Sequence, residues 1–159
     1  MDNNLRVWVG IDPGLKGGVG VINERREVLE VYRMPDTLAG LDAALRSIAA
    51  GYPRAVVVLE KAQAMPKQGG VSMFNYGRGF GAIEMGVVSN CLPCHYVRPA
   101  IWKKTILAGE PDRRDKGVSI RVCERIFPDV NLIPGKCRTP HDGMAEALLL
   151  AEYGRRENL

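Results

Sequence analysis

The sequence lacks long hydrophobic runs, a leader-like start and internal repeats. No apolar stretch approaches the roughly 20 residues that a helix needs to cross a membrane. Residues 1–4 have neither the positive charge nor the apolar core of a signal peptide, and no low-complexity tract or linker divides the chain. We therefore expect one cytoplasmic domain over residues 1–159, with no membrane partner.

The four cysteines lack the two short-spaced pairs of a typical structural zinc site. Cys91 and Cys94 have the spacing of a zinc knuckle or a redox pair, but Cys123 and Cys137 lie too far apart to form a second such pair. We predict reduced thiols rather than a zinc site, with Cys94 packed as a small apolar residue at the start of a strand.

The composition is that of a globular protein. The 159 residues are 46% hydrophobic and 25% charged, which is enough chain for a full hydrophobic core. The formal net charge of +4 favours a polyanionic partner without identifying one, because many enzymes are equally basic.

Hydrophobic patterning predicts five strands and five helices. The strands are expected at residues 7–11, 18–22, 28–34, 55–60 and 95–97. The helices are expected at residues 38–50 after an N-cap at Thr37, about 72–88, 101–107, 115–127, and from 141 or 142 to 153, with Gly154 ending the last one. The first three strands form an antiparallel meander, and the fourth is typical of a parallel strand buried on both faces. This order predicts an α/β fold with one mixed sheet flanked by helices.

Acidic residues end two of these strands. Asp12 follows the apolar run of "VGIDPG", and Glu60 ends "AVVVLE". Charged groups at the carboxyl ends of adjacent central strands are costly unless something compensates them, and a metal ion would do so.

Two further acids lie on the last helix, in "HDGMAEALLLAEY". Asp142 and Glu146 are one helical turn apart on one face, where like charges repel unless a cation is near. Four carboxylates from three elements suit Mg²⁺, with Mn²⁺ as a substitute, in two-metal phosphodiester hydrolysis. The alternative is that Asp142 is an N-cap and Glu146 a solvated helix residue.

Five segments together resemble the RuvC-type Holliday-junction resolvases, with most likeness to the branch found in phages and chloroplasts. They are "GIDPG", "VVVLEKAQAMPKQGG", "NYGRGFGAIEMGVV", "RPAIWKKTILAG" and "HDGMAEALLLAEY", and the likeness runs from Val7 to Tyr153. The resemblance implies an RNase H-like fold with a five-stranded sheet, three antiparallel strands then two parallel. It also implies a homodimer that resolves four-way DNA junctions by paired metal-dependent nicks, in a bacterial cell or phage-infected host.

The same resemblance assigns the family's catalytic and metal-binding acids to Asp12, Glu60, Asp142 and Glu146. The chain departs from the bacterial enzymes at the last helix, where two aspartates three residues apart are usual and Gly143 stands in one of those positions. Asp142 therefore takes that role from one residue further back. His141 is a competitor for it, because imidazole can bind metal or transfer a proton, although it can equally be a solvated residue at a helix start.

Basic residues in or beside the neighbouring loops and helices are candidates for phosphate contacts, or alternatively part of a solvated surface. They are Lys61, Lys67, Arg78, Arg98, Lys103, Lys104, Arg113, Arg114 and Lys116. Of these, Lys104 or Lys116 could stabilise transition-state charge, as basic residues after the fifth strand do in the family.

Met73, Phe74 and Tyr76 are candidates for an apolar wedge that opens the junction centre, or for core or dimer contacts. Glycines in the same helix, Gly77, Gly79, Gly81 and Gly86, predict close backbone packing and make this helix the expected dimer face.

Three other functions remain open. Actin-like ATPases and sugar kinases also begin with a strand, an aspartate and a glycine-rich hairpin, but they need two such domains and this chain has room for one. A less selective nuclease could cut flaps or RNA–DNA hybrids on the same fold. A catalytically silent junction-binding module is the third, and the full set of acids argues against it.

Overall fold

The computed structural model describes residues 5–61, 69–112, 115 and 117–159. Its strands are β1 (Val7–Asp12), β2 (Gly18–Asn23), β3 (Val28–Arg33), β4 (Ala55–Glu60) and β5 (Cys94–Val97). They form one sheet in the order β3-β2-β1-β4-β5. The first three strands are antiparallel, while β4 runs parallel to both β1 and β5. The predicted mixed sheet is therefore confirmed.

Helices cover both faces of the sheet. They are α1 (Leu38–Gly51), α2 (Gly70–Ser89), α3 (Pro99–Ile106), α4 (Val118–Ile126) and α5 (Asp142–Arg156). One core lies between the sheet and α1 and α2, and the other lies between the sheet and α3, α4 and α5. None of the helices in the described residues is long and apolar enough to span a membrane.

Alternating valine and glycine in β1 and β2 decide how closely α5 can approach. The valines face α1, whereas Gly10 and Gly20 pair with each other across the two strands and face α5. A Cβ atom on Gly10 would lie 1.9 Å from the carbonyl oxygen of Ala147, and one on Gly20 would lie 2.8 Å from the backbone nitrogen of Leu148. Side chains at these two positions would therefore push α5 off the sheet.

Two helix termini differ from the predictions by three residues. Helix α5 continues through Gly154 to Arg156, because this glycine packs inside the helix, where a Cβ atom would lie 2.5 Å from Val58 and 2.9 Å from Trp8. Helix α4 starts after Gly117 rather than at Asp115, whose carboxylate instead accepts a hydrogen bond from the Gly117 N–H.

Of the glycines in α2, Gly86 packs closely against another helix of the chain. A Cβ atom on Gly86 would lie 2.6 Å from the side chain of Leu45 on α1. Gly77, Gly79 and Gly81 have no described atom within 4 Å of such a Cβ, so the prediction of close packing is wrong for them within one chain. Cys94 packs partly buried against the α1–α2 core, as predicted, and all four cysteines are free thiols.

Candidate active site

Asp12 and Glu60 lie side by side at one edge of the sheet. Each is the last residue of its strand, and the residues before them, Ile11 and Leu59, are partners in the parallel ladder. Both acids are partly buried. The edge at which the parallel strands end is where α/β folds commonly place their binding sites.

The start of α5 faces the same edge. Gly18 allows this contact, since a Cβ atom on it would lie 2.7 Å from the carbonyl oxygen of Gly143. Asp142 is the first residue of α5, and Glu146 follows one turn later. The close packing of α5 on β1 and β2 thereby brings all four predicted acids to one place.

The electrostatics of Asp12 show that the acids are close to one another. Burial raises the pKa of Asp12 to about 8, with further raising contributions from Glu146, Glu60 and Asp142 and an opposing one from Lys103. Burial also raises the pKa of Glu60, and nearby Glu146 adds to the shift. Burial is the largest cause of both shifts and the neighbouring carboxylates add to them, so ionising these acids together is costly unless a cation is near.

Three side chains from α3 and α4 hold two of the acids. The indole N–H of Trp102 donates to Oε2 of Glu60 at 2.6 Å. Oε1 of Glu146 accepts hydrogen bonds from Nζ of Lys103 at 2.7 Å and from Oγ of Ser119 at 2.9 Å. Lys103 is partly buried, contacts Glu146 and lowers the pKa of Asp12, so its ammonium balances part of the charge of this cluster.

The donor set suits a hard divalent cation. Four carboxylates, one of them with a strongly raised pKa, offer the oxygen ligands that Mg²⁺ and Mn²⁺ prefer. Within residues 5–61, 69–112, 115 and 117–159, no three His, Cys, Asp or Glu side chains are arranged closely enough to hold an ion as they stand. The chemistry of the residues thus fits the metal, while their present side-chain positions do not enclose it.

His141 serves as the N-cap of α5. Its Nδ1 accepts a hydrogen bond from the backbone N–H of Met144 at 3.3 Å. The N-cap role considered for Asp142 therefore belongs to His141, and Asp142 is exposed beside the other acids.

The predicted phosphate-binding cations fall into three groups. Lys103 contacts the acids directly, as described above. Exposed cations nearby are Lys61 directly after β4, Arg98 at the N-cap of α3, Lys104 on α3 and Arg78 on α2. Lys67, Arg113, Arg114 and Lys116 lie outside the described residues.

A groove with a cavity volume of about 1040 Å³ is lined in part by Pro13, the residue directly after Asp12. Its walls are the β1–β2 turn, the segment from Met34 into the start of α1, and the first half of α2, and Lys16, Tyr76 and Arg78 are among its lining residues. A mixed basic and apolar groove beside the acids is a suitable path for a nucleic acid strand.

The three candidate wedge residues point in different directions. Phe74 and Met73 are 70% and 41% exposed. Tyr76 is partly buried instead, and burial, Glu60 and Asp12 raise the pKa of its hydroxyl. Tyr76 thus faces the acids, whereas Phe74 faces away from the core.

Sequence reasoning missed Trp102 and Ser119 as partners of the acids. A buried indole N–H needs an acceptor, so the tryptophan in "IWKKT" was a usable signal, but it could not say which acceptor. Ser119 carried no signal, because a serine near a helix start is common.

No family model and no curated protein sequence matches this chain. Its structure is similar to that of Thermus thermophilus RuvC in complex with a Holliday junction substrate, with a TM-score of 0.64, 19% identity and 96% of each chain covered. A second Thermus thermophilus RuvC structure matches with a TM-score of 0.64, 18% identity and 96% of both chains. The chain has the RuvC fold. The predicted RNase H-like, RuvC-type architecture is therefore confirmed over nearly its whole length.

Proposed function

We propose that this protein is a structure-selective endonuclease that resolves four-way DNA junctions by paired, metal-dependent phosphodiester hydrolysis. The observation that carries the proposal is the convergence of Asp12, Glu60, Asp142 and Glu146 at the sheet edge of a RuvC fold. The Thermus protein of the same fold was solved with a Holliday junction, which supports the choice of substrate.

In this proposal the four acids hold Mg²⁺, which when bound supplies Lewis acidity toward the attacking water and the leaving oxygen. Asp12 would bind the metal in its ionised form. A cation beside it would offset the burial that raises its pKa in the metal-free protein. Lys103 and Ser119 hold Glu146, and Trp102 holds Glu60, so that their oxygens stay directed at the cluster. Lys103 also reduces the repulsion that a phosphate would meet here.

DNA would approach along the groove beside Asp12 and across the exposed cations. Lys61 follows β4, Arg78 lies on α2, and Arg98 and Lys104 lie at the N-cap and in the last turn of α3, and these separate positions suit phosphate contacts on more than one strand. Lys67, Arg113, Arg114 and Lys116 remain candidates for the same role. We expect binding to weaken steeply with salt, because such contacts release counterions.

A homodimer through α2 would match the two-fold symmetry of a four-way junction. Its exposed face carries Phe74, Gly77, Gly81, Met85 and Val88 at helical spacing. Met85 and Val88 are 61% and 65% exposed, and large apolar side chains in a continuous stripe favour an interface. The open glycines would allow a second α2 to pack closely.

The test is nicking of an immobile four-way junction beside a linear duplex, a flap and an RNA–DNA hybrid, with Mg²⁺, with Mn²⁺ and with chelator. We expect paired, symmetric, metal-dependent cuts in the junction. Equal cutting of the other substrates would contradict junction selectivity and favour a general nuclease. Tight junction binding with no cutting under any metal would contradict the enzymatic proposal.

A further inference from the structure

The chain has two tryptophans, and both are buried in the same core below α5. Trp8 lies at the start of β1, where its indole N–H donates to the main-chain oxygen of Leu159, the last residue of the sequence, at 3.1 Å. Trp102 lies on α3 and is fully buried, and its indole N–H donates to a charged side chain, Oε2 of Glu60, at 2.6 Å. The same group therefore meets a main-chain oxygen at one site and a predicted metal ligand at the other.

The ring of Trp102 is held from several sides. It packs with residues of α4 and α5 in the core, and Nζ of Lys103 lies 5.1 Å from its ring centroid. A ring fixed in this way presents its N–H in one direction. The indole N–H thereby fixes the position of Oε2 of Glu60 from the side of the core. Without such a hydrogen bond a glutamate side chain would move among several rotamers.

Trp102 and Lys103 are neighbours in sequence that hold acids from different elements. Trp102 binds Glu60 at the end of β4, and Lys103 binds Glu146 on α5. Helix α3 thus sets the relative position of two carboxylates that the sheet and α5 bring together. A shift of Trp102 would change this spacing without altering any of the four acids.

We propose that Trp102 is a positioning residue whose indole N–H orients Glu60 and so sets the affinity of the acid cluster for divalent metal. The inference rests on the proposed function insofar as the acids are taken to bind metal. Hydrogen-bond partners of metal ligands commonly change metal affinity by about 10- to 100-fold when they are removed.

Trp102→Phe tests the proposal, because phenylalanine keeps an aromatic ring and removes the N–H. Trp8→Phe is the matched control, since it makes the same change in the same core at the other end of the sheet. Calorimetric titration with Mn²⁺ should give a dissociation constant about tenfold higher for Trp102→Phe than for Trp8→Phe. Equal dissociation constants in the two folded variants would overturn the proposal.

A second measurement covers the case in which Trp102→Phe does not fold. The Trp8→Phe protein retains Trp102 as its one tryptophan, so its emission reports on the neighbourhood of Glu60. Addition of Mg²⁺ should change this emission, and the double variant with Asp12→Asn should lose the response. An emission that stays constant at Mg²⁺ concentrations at which calorimetry shows saturation would overturn the proposal.

The experiments give different results if the inference about Trp102 is wrong and if the proposed function is wrong. If the metal titrations behave as expected and no junction is cut, the resolvase function is wrong while the role of Trp102 stands. If the wild-type protein cuts junctions and Trp102→Phe binds metal as tightly as Trp8→Phe, only the role of Trp102 is wrong.

Discussion

Helix α5 carries a charged cluster near each end, and the two clusters are balanced in opposite ways. Near its C-terminus, Glu152 is fully buried and accepts hydrogen bonds from Nε of Arg155 at 2.7 Å and Nε of Arg156 at 2.8 Å. Burial raises the pKa of Glu152, but these two arginines outweigh it and leave the pKa lowered. Near the N-terminus of α5, burial and three other carboxylates raise the pKa of Asp12 to about 8 against the influence of Lys103.

The difference separates a charge cluster whose carboxylate is paired within the chain from one whose carboxylates are mostly unpaired in the described part of the chain. A buried carboxylate with two guanidinium partners is complete within the chain and contributes to folding. A group of carboxylates that, among the described residues, is contacted by the ammonium of Lys103 is costly to charge, and in the proposed function a divalent cation offsets that cost. Substitutions in the cluster near the N-terminus of α5 should therefore lower catalysis, and substitutions in the cluster near its C-terminus should lower stability.

The largest expected effect is on catalysis at the N-terminal end. Asp12→Asn removes the most strongly perturbed carboxylate, so we expect junction cleavage to fall by roughly 1,000-fold or more, with junction binding retained. Asp42→Asn, which breaks a surface ion pair with Arg46 on α1, is the control and should cut normally. Cleavage at the wild-type rate by Asp12→Asn would contradict the assignment of the cluster near the N-terminus of α5 to catalysis.

The next effect is on stability at the C-terminal end. Glu152→Gln removes the buried charge that both arginines contact, and we expect the free energy of unfolding to fall by roughly 2 kcal/mol in urea denaturation, since the arginines can reach water. Glu157→Gln, an exposed neighbour at the end of α5, should change it little. If Glu152→Gln unfolds like the wild type, the cluster is not structural.

Two adjacent lysines on α3 sharpen the assignment of the compensating cation. Lys103→Gln should lower the cleavage rate by roughly 10- to 100-fold, because its ammonium contacts Glu146. Lys104→Gln is the comparison variant on the same helix: as an exposed phosphate contact Lys104 should affect junction binding, and we expect a change of less than about threefold in the cleavage rate at saturating DNA. A larger loss for Lys104→Gln would favour the role first considered for it from sequence.

The stability of the metal-free protein should depend on pH through Asp12. The folded state keeps this proton up to about pH 8, whereas the unfolded chain releases it near the ordinary pKa of 3.8. Between these two pKa values the folded state therefore binds more protons than the unfolded chain. The stabilisation that the Asp12 proton gives the folded state is fully present below about pH 4 and is lost as the pH rises to about 8.

Thermal melting in chelator tests this expectation. Relative to Asp12→Asn, the wild type should lose roughly 1–3 kcal/mol of stability between pH 5 and pH 8. Added Mg²⁺ should restore stability at pH 8 in the wild type and not in the variant. Parallel curves for the two proteins would mean that Asp12 is not perturbed.

The smallest effect concerns the proposed dimer face. Gly81→Ala adds a methyl group where no described atom lies within 4 Å, so a single chain should tolerate it. In a dimer packed through α2 the same methyl would separate the helices, and we expect the dimer dissociation constant to rise about fivefold in sedimentation experiments, equivalent to ~1 kcal/mol. Gly51→Ala at the end of α1 is the control, and identical dimerisation of both variants would exclude α2 as the interface.

The sequence by itself predicted the strands, their order and the position of each acid. Asp12 and Glu60 are at strand ends, and Asp142 and Glu146 are one turn apart, so these features follow from local periodicity within short segments. The RuvC-like architecture followed from the same segments taken together, and it is confirmed by the structural similarity. The roles of the acids stay predictions that the experiments above address.

Tertiary structure alone decided what surrounds the acids. That Trp102 holds Glu60, that Lys103 rather than Lys104 contacts Glu146, and that α5 continues through Gly154 all depend on packing between elements distant in sequence. Periodicity assigns a residue to a face of its own helix, but the partner across that face depends on how closely two backbones approach. Gly10 and Gly20 determine that approach here, since they let α5 lie directly on the sheet and bring its carboxylates to Asp12.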